Sequence, residues 1–482
     1  MNEKCQIFTP EDIAEEMLNI VNYEGDLFGK QVLENSCGDG NILKRIVIRY
    51  IESALANKIP LEDIKMGLEK DIYAAEIDEK YYKKCIQNLD ELINGYNIHD
   101  VKWNIINKDS LKIQWKVKFD FIIGNPPYIK YSEMDVESRL FLNKNYKSCI
   151  NGKFDYCYAF IENSINNLNT NGKMVYLIPN SIFKNVFGKE LRKILLPKLT
   201  EVYDYKGKKL FKEALTSSAI IVVDSGENLN HINYYDMNEK NIQALDKSKF
   251  GDKWVFSNPS DLLVKEKCRF SDYFNVSISI ATLLNKAFVI NDYIVDNEYL
   301  IVGEYKVEKE LVRTAASPKS LAYKKNEMII FPYHYDKGIL KRYETKVFEE
   351  KFPEATKYLQ SFYSKLKKRK SSKNVSWFEY GRTQALKHLN QPKLLLSTVV
   401  TKTVNIYELP ASCIPYSGIY ITQKEDIELE VAKKILSNKD FYDYVKLIGI
   451  NASGNSLRIT VKDIGNFEFE KEMLINHGEN EI

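Results

Sequence analysis

The stretch Phe119-Asp120-Phe121-Ile122-Ile123-Gly124-Asn125-Pro126-Pro127-Tyr128 decides the fold of this chain. Its first half is a short apolar run, a pattern typical of a strand buried inside a parallel sheet. Its second half is a polar, proline-stiffened loop that ends in an aromatic residue. Because ligands of open parallel sheets bind beyond the carboxyl ends of the strands, this loop lies where a functional site is expected.

Similar apolar runs alternate with helix-length patterns along the first half of the chain. Strands are predicted at residues 31–34, 72–76, 103–106, 119–123, 173–178 and 218–223. Helices are predicted at residues 11–22, 41–57, 79–95, 155–168 and 188–196, with one more short helix between residues 60 and 70. This alternation indicates the α/β class, with a Rossmann-like, doubly wound sheet.

The pattern changes after about residue 225. Polar, turn-rich segments lie at residues 224–230 and 257–260, and such segments mark boundaries. Beyond them, aromatic-rich runs, a basic stretch and short apolar strands mix without regular alternation. A length of 482 residues also favours more than one domain. We therefore predict a first domain over residues 1–245 and a second, α+β domain over residues 246–482.

The composition excludes several classes of protein. The 69 Lys and Arg residues nearly cancel the 66 Asp and Glu residues, so the net charge of +3 indicates no partner by itself. The 7 cysteines are scattered without a CxxC pair, and the 5 histidines show no metal-ligand spacing, so we expect neither a disulfide framework nor a bound metal. Without a signal peptide or a long apolar segment, a cytoplasmic protein with no membrane partner is expected.

The segment Asn125-Pro126-Pro127-Tyr128 suits one chemical task well. Its prolines fix the backbone and remove two N–H donors, which leaves the Asn125 side chain and the Pro126 carbonyl as rigid acceptors. Two acceptors that bind both protons of an exocyclic amine free its delocalised lone pair for attack on a methyl donor. Tyr128 can meanwhile stack on the conjugated ring. The alternative interpretation is a rigid turn after a buried strand.

Three strand ends upstream of this loop carry further candidates. Residues 32–41 combine a strand, a tight turn at Gly38 and Gly40, and a helix start, which lets the backbone approach a nucleotide-like cofactor closely. The turn lacks the full GxGxxG pattern and no GxxxxGK[ST] loop occurs, which disfavours NAD and ATP. Glu76 is placed to bind a ribose and Asp109 to contact an adenine ring. The alternatives are a solvated strand-end charge and a helix N-cap.

The order and spacing of these motifs resemble the gamma class of S-adenosylmethionine-dependent N6-adenine DNA methyltransferases. The resemblance covers about residues 6–225 and rests on Phe8-Thr9-Pro10, residues 33–40, Glu76-Ile77-Asp78, Asp109-Ser110 and residues 125–128. It implies a class I methyltransferase fold. It also implies S-adenosylmethionine as the cofactor, bound by Thr9, Pro10, Glu34, Ser36, Cys37, Gly38, Glu76, Ile77, Asp109, Ser110 and Asn125. The catalytic loop would consist of Asn125, Pro126, Pro127 and Tyr128, with Tyr128 also contacting the substrate base.

Members of that family often place a second aromatic side chain against the flipped base, beyond the position of Pro179. Phe183 and Phe187 are the candidates in this sequence, and Phe187 is preferred. The alternative is that both phenylalanines are core residues of the following helix.

A base inside a duplex must be flipped out before it can react, and a second module must read the surrounding sequence. Residues 365–373 form the densest basic run of the predicted second domain, and residues 377–384 follow with Trp, Tyr and Arg side chains. Basic residues neutralise phosphates, and Arg reads base edges. DNA contacts are therefore expected from Lys368, Arg369, Trp377, Tyr380 and Arg382. The alternative is a solvated helix face or a linker.

Taken with these residues, the resemblance implies a site-specific, adenine-specific methyltransferase of double-stranded DNA. Residues 1–245 would form its catalytic domain and residues 246–482 its target-recognition domain. Only eight residues precede Thr9, so no nuclease domain and no cleavage activity are expected. The expected state is a monomer that either accompanies a separate cognate restriction endonuclease or acts alone. Two alternatives stay open: methylation of a planar nitrogen in RNA or in a protein glutamine, and a noncatalytic DNA-binding subunit.

Overall fold

The computed structural model describes residues 8–206, 210, 217–256, 267–424, 427–453 and 456–474. The chain forms two compact units, residues 1–260 with 453–455 and residues 261–452 with 456–482. Residues 246–256 remain with the first unit, where the rings of Trp254 and Phe256 pack against Phe183. The division therefore lies after residue 260, whereas the sequence placed it after residue 245.

The first unit is built on a nine-stranded mixed sheet with the strand order β3-β2-β1-β4-β5-β7-β6-β8-β9. The strands are β1 (Val32–Glu34), β2 (Ile72–Ala75), β3 (Asn104–Ile106), β4 (Phe119–Gly124), β5 (Leu168–Pro179), β6 (Leu199–Asp204), β7 (Ser218–Asp224), β8 (His231–Asp236) and β9 (Asn241–Asp246). Strands β3, β2, β1, β4 and β5 run parallel, and β7 is antiparallel to both β5 and β6. The predicted doubly wound α/β sheet is confirmed.

Strands β6, β8 and β9 were not predicted from the sequence. Strand β9 pairs with β8 at the edge of the sheet, and Leu245 is its one buried residue. The apolar alternation that identifies a strand is therefore missing there. The strand forms because its backbone groups pair with β8 from Asp246 opposite His231 to Asn241 opposite Asp236.

Helices cover both faces of the sheet: α1 (Glu11–Ile20), α2 (Asn41–Ala56), α3 (Leu61–Asp71), α4 (Glu79–Asn94), α5 (Val136–Asn145), α6 (Cys157–Asn167) and α7 (Lys189–Leu195). Val32 packs into the core formed with α1 to α4, whereas its neighbour Leu33 packs into the core formed with α5 to α7. Successive strand residues point to opposite faces, so the two cores lie on opposite sides of β1. Helix α5 was not predicted, because Leu142 is its one buried residue and gives it no apolar stripe.

The register of β1 with its two neighbouring strands determines where the site lies. Val32 lies opposite Ile72 of β2 and also opposite Phe121 of β4. The chain moves outward from β1 to β2 and β3 and then returns to the other side of β1 with β4. The loops after β1 and β4 therefore leave the sheet in different directions, and a crevice opens between them.

The second unit combines small, mostly antiparallel sheets with short helices, which confirms the predicted second α+β domain. Its strands are β10 (Lys267–Arg269), β11 (Phe274–Ile278), β12 (Val289–Ile290), β13 (Ile294–Val295), β14 (Tyr299–Val302), β15 (Tyr305–Glu308), β16 (Val312–Ala316), β17 (Glu327–Ile330), β18 (Tyr333–Asp336), β19 (Ile339–Arg342), β20 (Lys393–Leu396), β21 (Val399–Val400), β22 (Ile406–Leu409), β23 (Ile414–Pro415), β24 (Ile419–Gln423), β25 (Ile450–Ser453), β26 (Ser456–Arg458) and β27 (Glu468–Glu470). Its helices are α8 (Phe270–Tyr273), α9 (Asn285–Phe288), α10 (Pro318–Ala322), α11 (Thr345–Lys351), α12 (Pro353–Gln360), α13 (Tyr363–Lys367), α14 (Leu429–Ser437), α15 (Lys439–Ile448) and α16 (Val461–Gly465). Among the described residues, no helix combines the length and apolar character needed to span a bilayer.

A buried triangle of hydrogen bonds joins three elements beneath the crevice. The Nδ2 atom of Asn35, just after β1, lies 3.0 Å from Oγ of Ser164 on α6. The hydroxyl of Tyr176 on β5 lies 2.6 Å from Asn35 Oδ1 and 2.7 Å from Ser164 Oγ. The Tyr176 ring also closes on Gly124, where a Cβ atom would lie 3.3 Å from it. The triangle ties the end of β1 and helix α6 to β5, and the Tyr176 ring packs against the end of β4.

Replacing Tyr176 by Phe should destabilise the first unit. The change takes the hydroxyl donor away from the buried Asn35 Oδ1, while Asn35 Nδ2 still bonds to Ser164 Oγ, and the expected loss in the free energy of unfolding is about 1–3 kcal/mol. The matched control is Tyr23→Phe, because the Tyr23 hydroxyl is equally buried but has no hydrogen-bond partner. Urea titrations that gave the same loss for both variants would contradict a stabilising role for the triangle.

Candidate active site

A cavity of about 410 Å³ opens at the crevice beyond the carboxyl ends of the parallel strands. Most of the sequence-predicted residues line it: Thr9, Glu34, Ser36, Cys37, Gly38, Glu76, Ile77, Asp109, Ser110, Asn125, Pro126, Pro127 and Tyr128. Pro10 stands outside this lining, at the N-cap of α1. Residues that lie far apart in the sequence therefore meet around one space.

The glycine turn after β1 forms one wall of this cavity. Gly38 and Gly40 have φ values of 54° and 88°, in the left-handed region that favours glycine. A Cβ atom on Gly40 would lie 2.8 Å from Sγ of Cys85 on α4. Only glycine therefore fits at position 40 without a shift of the turn or of α4.

Glu76 holds this turn in place. One carboxylate oxygen accepts the backbone N–H of Gly38 at 2.9 Å, and the other accepts the N–H of Asp78 at 2.8 Å. The side chain is largely buried, so it is not a solvated strand-end charge. Burial raises the pKa of Glu76, and the hydrogen bonds from the backbone of Asp78 and Gly38 oppose that rise.

Asp109 follows β3 and has three structural partners, namely Leu111, Tyr156 and the Lys112 ammonium group at 3.8 Å. Its carboxylate caps a short 3₁₀ helix by accepting the N–H of Leu111 at 3.1 Å, and it lies 3.4 Å from the Tyr156 hydroxyl. The N-cap interpretation is therefore correct. The same residue also lines the cavity, and its contact with an adenine ring stays a prediction.

The loop after β4 is tied to the N-terminal segment and to β5. Asn125 Nδ2 donates to Thr9 Oγ1 at 3.2 Å, and Ser36 Oγ donates to the Asn125 carbonyl oxygen at 3.2 Å. The Tyr128 hydroxyl faces Asn125 Oδ1 and also the Leu177 carbonyl oxygen at 2.7 Å. Burial raises the pKa of Tyr128 well above its ordinary value, so its phenol stays protonated. The loop therefore presents an ordered amide and a neutral aromatic ring.

The cavity wall contains buried polar groups, two of which are carboxyl groups. Glu34 Oε2, Asp39 Oδ1 and Ser110 Oγ are buried and have no hydrogen-bond partner among the described residues. Burial raises the pKa of Glu34 well above the usual carboxyl range, and the nearby Cys85 and Glu76 raise it further. Burial likewise raises the pKa of Asp39. Acceptors of this kind fit a ligand that supplies hydrogen-bond donors and positive charge.

Several lining residues were not predicted as site residues. They include Phe8, Tyr81, Met134, Asp135, Ser138 and Tyr156. The ring of Phe8 contacts the Tyr81 ring at 5.2 Å between centroids and also lies over Gly38. Residues 134–138 lie only a few positions after Tyr128, so their closeness in sequence to the catalytic loop was the available signal. Tyr81 and Tyr156 carry no such signal, because helix packing brings them to the cavity.

The two candidates for a second base-contacting aromatic residue lie in different environments. Phe183 is fully buried and stacks on Trp254 with 6.0 Å between ring centroids, so the core interpretation is correct for it. Phe187 is 39% exposed, and its ring occupies the space above Gly152, where a Cβ atom would lie 1.9 Å from it. Phe187 therefore has free surface, although it does not line the 410 Å³ cavity.

The predicted DNA-contacting residues of the second unit divide into buried and exposed side chains. Tyr380 is fully buried and its hydroxyl donates to the Ile330 carbonyl oxygen, so it is a core residue in this structure. The Arg369 guanidinium donates to the carbonyl oxygens of Thr282, Trp377 and Glu379. Tyr380 is therefore not accessible to a base in this structure, whereas the DNA contact of the half-buried Arg369 stays a prediction.

Besides the half-buried Arg369, three further residues of that set keep accessible surface. Lys368 and Arg382 are exposed, and Trp377 is half-buried with its indole N–H donating to Glu349 at 3.3 Å. Gly381 is required for close packing, because a Cβ atom there would lie 2.5 Å from the Leu283 side chain. Residues 380–382 thus consist of a buried tyrosine, a closely packed glycine and an exposed arginine.

Comparisons with known proteins agree with the fold. Residues 42–211 match the family described as Eco57I restriction-modification methylase. The chain is 27% identical over 273 residues to the type II methyltransferase M.AccI of Acinetobacter calcoaceticus, covering 56% of this chain and 44% of that protein. It is 21% identical over 505 residues to the type II methyltransferase M.BstVI of Geobacillus stearothermophilus, covering 94% of this chain and 87% of that protein. The chain is thus similar to proteins named type II methyltransferases.

A solved structure extends the likeness to the second unit. The type IIL restriction-modification enzyme MmeI, in complex with DNA, superimposes with a TM-score of 0.59 at 14% identity, covering 95% of this chain and 64% of that chain. At this identity the likeness concerns the fold alone. The chain therefore spans less than half of M.AccI and about two thirds of MmeI, but most of M.BstVI.

Replacing Gly40 by Ala should distort the turn that carries Gly38. The left-handed conformation costs an alanine about 1–2 kcal/mol, and the contact with Cys85 adds to this loss in the free energy of unfolding. Gly29→Ala is the matched control, since Gly29 has a φ of 82° but open space around a Cβ atom. In the double variant Gly40→Ala/Cys85→Ala we expect only the steric part to be recovered. Equal unfolding free energies for the Gly40 and Gly29 variants would contradict this account.

Proposed function

We propose that this protein transfers a methyl group from S-adenosylmethionine to N6 of a flipped adenine in double-stranded DNA. The observation that carries the proposal is the position of Asn125, whose amide lies in the same cavity as Glu34, Glu76 and Asp109. A cofactor bound along these carboxylates and a base held by the Asn125 loop would share one space. We further propose that the protein does not cleave DNA itself.

The composition of the cavity wall supports S-adenosylmethionine as the ligand. This cofactor supplies an electrophilic methyl group on a sulfonium centre, together with an ammonium group, a ribose diol and an adenine ring. Glu34, with an unpartnered buried oxygen, would hold the cationic end near Thr9 and Ser36. Glu76, which is anchored beside the turn at Gly38, would accept the ribose hydroxyls, and Asp109 with Ile77 and Ser110 would surround the adenine.

The Asn125 loop would orient the target amine. An adenine N6 group is a weak nucleophile because its lone pair is delocalised into the ring. Hydrogen bonds from its two protons to Asn125 Oδ1 and to the Pro126 carbonyl would favour a pyramidal nitrogen whose lone pair points toward the methyl donor. Tyr128, a neutral ring next to this amide, would stack on the base. Binding of the base requires the Tyr128 hydroxyl to leave Asn125 Oδ1, which it faces in the base-free protein.

The second unit would read the DNA sequence around the target base. Its exposed basic residues include Lys368 and Arg382, and phosphate contacts fix register while base-edge contacts specify sequence. We propose that the protein acts as a monomer, either beside a separate restriction endonuclease of the same specificity or alone. Phe187, the one of the two candidate phenylalanines with free surface, is proposed as the second aromatic contact to the flipped base.

Asn125→Ala should abolish methyl transfer while S-adenosylmethionine binding stays nearly unchanged. The loss expected from removing one acceptor to the reacting group is about 100- to 1,000-fold in rate. Transfer is measured with radiolabelled S-adenosylmethionine and duplex DNA, and cofactor binding by calorimetry. Retained transfer activity would remove Asn125 from the mechanism.

The same assay separates the substrate classes. Labelled cofactor is incubated with duplex DNA, with RNA and with a glutamine-containing protein, and the labelled nucleoside or amino acid is then identified. We expect label in N6-methyladenine of duplex DNA and intact DNA strands on a gel. Label in RNA or glutamine and none in DNA would overturn the proposed function.

Cofactor affinity should fall as the pH is lowered, and this dependence should come from Glu34. Because burial raises the pKa of Glu34, the free protein holds its carboxyl protonated at a pH where exposed carboxyls are ionised. Pairing with a cationic ligand requires the ionised form, so cofactor binding releases a proton and tightens until the pH exceeds this raised pKa.

Calorimetry over a pH series, in buffers of different ionisation enthalpy, measures both the affinity and the proton release. Glu34→Gln should bind more weakly and lose most of the pH dependence. The control Glu133→Gln removes an exposed carboxylate that also lines the cavity, and it should keep the dependence of the parent. Identical pH profiles for the parent and Glu34→Gln would exclude Glu34 as the titrating group.

A further inference from the structure

The hairpin formed by β18 and β19 packs on the core of the second unit through Tyr335 and Leu340 and ends in an exposed tip. Tyr333 pairs with Arg342 at its base, and Asp336 pairs with Ile339 next to the turn. The turn residues Lys337 and Gly338 have φ values of 47° and 80°, and two positive φ values define the tight turn that matches the twist of a hairpin. A Cβ atom on Gly338 would have no heavy atom within 4 Å, so the tip stands clear of the rest of the unit.

The base of this hairpin is fixed, in contrast to its tip. The Arg342 guanidinium forms a two-pronged ion pair with Glu379, with Nε 2.6 Å from Oε1, and Glu379 is fully buried. The Tyr333 hydroxyl accepts the backbone N–H of Tyr380 at 3.1 Å. Loss of Arg342 would leave the buried Glu379 carboxylate unpaired, which is strongly destabilising. The ion pair therefore keeps the hairpin in one orientation.

The hairpin tip carries side chains that the interior of the unit does not use. Ile339 is 61% exposed, and Lys337 and Lys341 are exposed on either side of it. Asp336 is the one acidic residue of this tip. An apolar side chain between two lysines at the end of a rigid ribbon has no role in packing.

The hairpin is joined to the basic run through Glu379 and Arg369. The Glu379 carboxylate holds Arg342 of the hairpin, while its backbone carbonyl accepts Arg369 of the basic run at 3.0 Å. Arg342 also donates to the Asn374 carbonyl oxygen, just beyond that run. The exposed lysines of the two segments therefore belong to one region: Lys337, Lys341, Lys365, Lys367, Lys368, Lys370 and Lys373. Within the described part of the chain, none of these seven has a carboxylate oxygen within ion-pair distance.

We propose that this hairpin enters the major groove of the DNA duplex, with Lys337 and Lys341 on phosphates and Ile339 against base edges. The proposal rests on the proposed function, that duplex DNA is the substrate. A two-stranded ribbon fits the width of the major groove, and an apolar side chain there can contact the methyl group of thymine. The lysines of residues 365–373 would contact the backbone beside the groove and set the register.

The charge test uses the full-length variant Lys337→Gln/Lys341→Gln and measures duplex binding over a series of salt concentrations. Removing one lysine from a phosphate makes the slope of log affinity against log salt shallower by about 0.9, so we expect a change of between one and two. The control Lys324→Gln/Lys325→Gln removes two exposed lysines from the same unit, and Lys324 shares the positive φ of Lys337. A slope change no larger than that of the control would overturn the assignment.

The specificity test uses Ile339→Ser and maps methylated adenines after reaction with a random-sequence DNA library. We expect the preference for the best sequence over a mismatched one to fall by about 10-fold, in the range of one base-pair contact. The cofactor affinity should stay that of the parent. Ile294→Ser is the control, since Ile294 on β13 is 68% exposed in the same unit.

The two tests separate this inference from the proposed function. If the parent protein methylates no DNA, both the proposed function and the hairpin assignment are wrong. If the parent methylates DNA but both hairpin variants match their controls in salt slope and sequence preference, only the hairpin assignment fails. A thermal unfolding measurement checks that each variant is folded. We expect each variant to unfold at the same temperature as the parent, because the three substituted side chains are exposed.

Discussion

The register of β1 between β2 and β4 is the constraint on which the rest of the structure depends. Val32 pairs with Ile72 and Phe121, so the ends of three strands lie along one edge of the sheet. A slip by one residue would exchange Val32 and Leu33 between the two cores, which makes the register strongly specified. The side chains that follow these strands, Glu34 and Asn125 among them, are therefore brought together by packing and not by any attraction of their own.

The crevice that results is electrostatically incomplete. Glu34, Asp39 and Glu76 are carboxyl groups withdrawn from water, and burial raises the pKa of each of them. Backbone N–H groups satisfy the Glu76 carboxylate, but Glu34 and Asp39 each keep an unpartnered oxygen. Native proteins retain few unsatisfied groups of this kind, and those they retain cluster at functional sites. A cationic ligand would complete the site, so the same groups that cost stability would supply binding energy.

The second unit shows how one segment can be divided between core and surface. Residues 365–382 supply both the exposed lysines and the interior contacts of Arg369, Glu379 and Tyr380. Arg suits the interior position because its planar group can satisfy three carbonyl oxygens at once, whereas a lysine is a compact, strongly hydrated charge. The buried members of the segment fix the direction of the exposed ones, including those of the neighbouring hairpin.

The sequence by itself determined the α/β fold, the positions of six strands of the main sheet and thirteen of the residues that line the cavity. It could do so because the period of apolar residues reports strands directly, and because parallel strands gather the residues at their carboxyl ends. Only the tertiary structure decided which aromatic and basic residues are exposed: Phe183 and Tyr380 are interior, whereas Phe187 and Lys368 are not. A residue type has the same pattern in either environment, and burial depends on neighbours such as Trp254 and Ile330 that are distant in the chain.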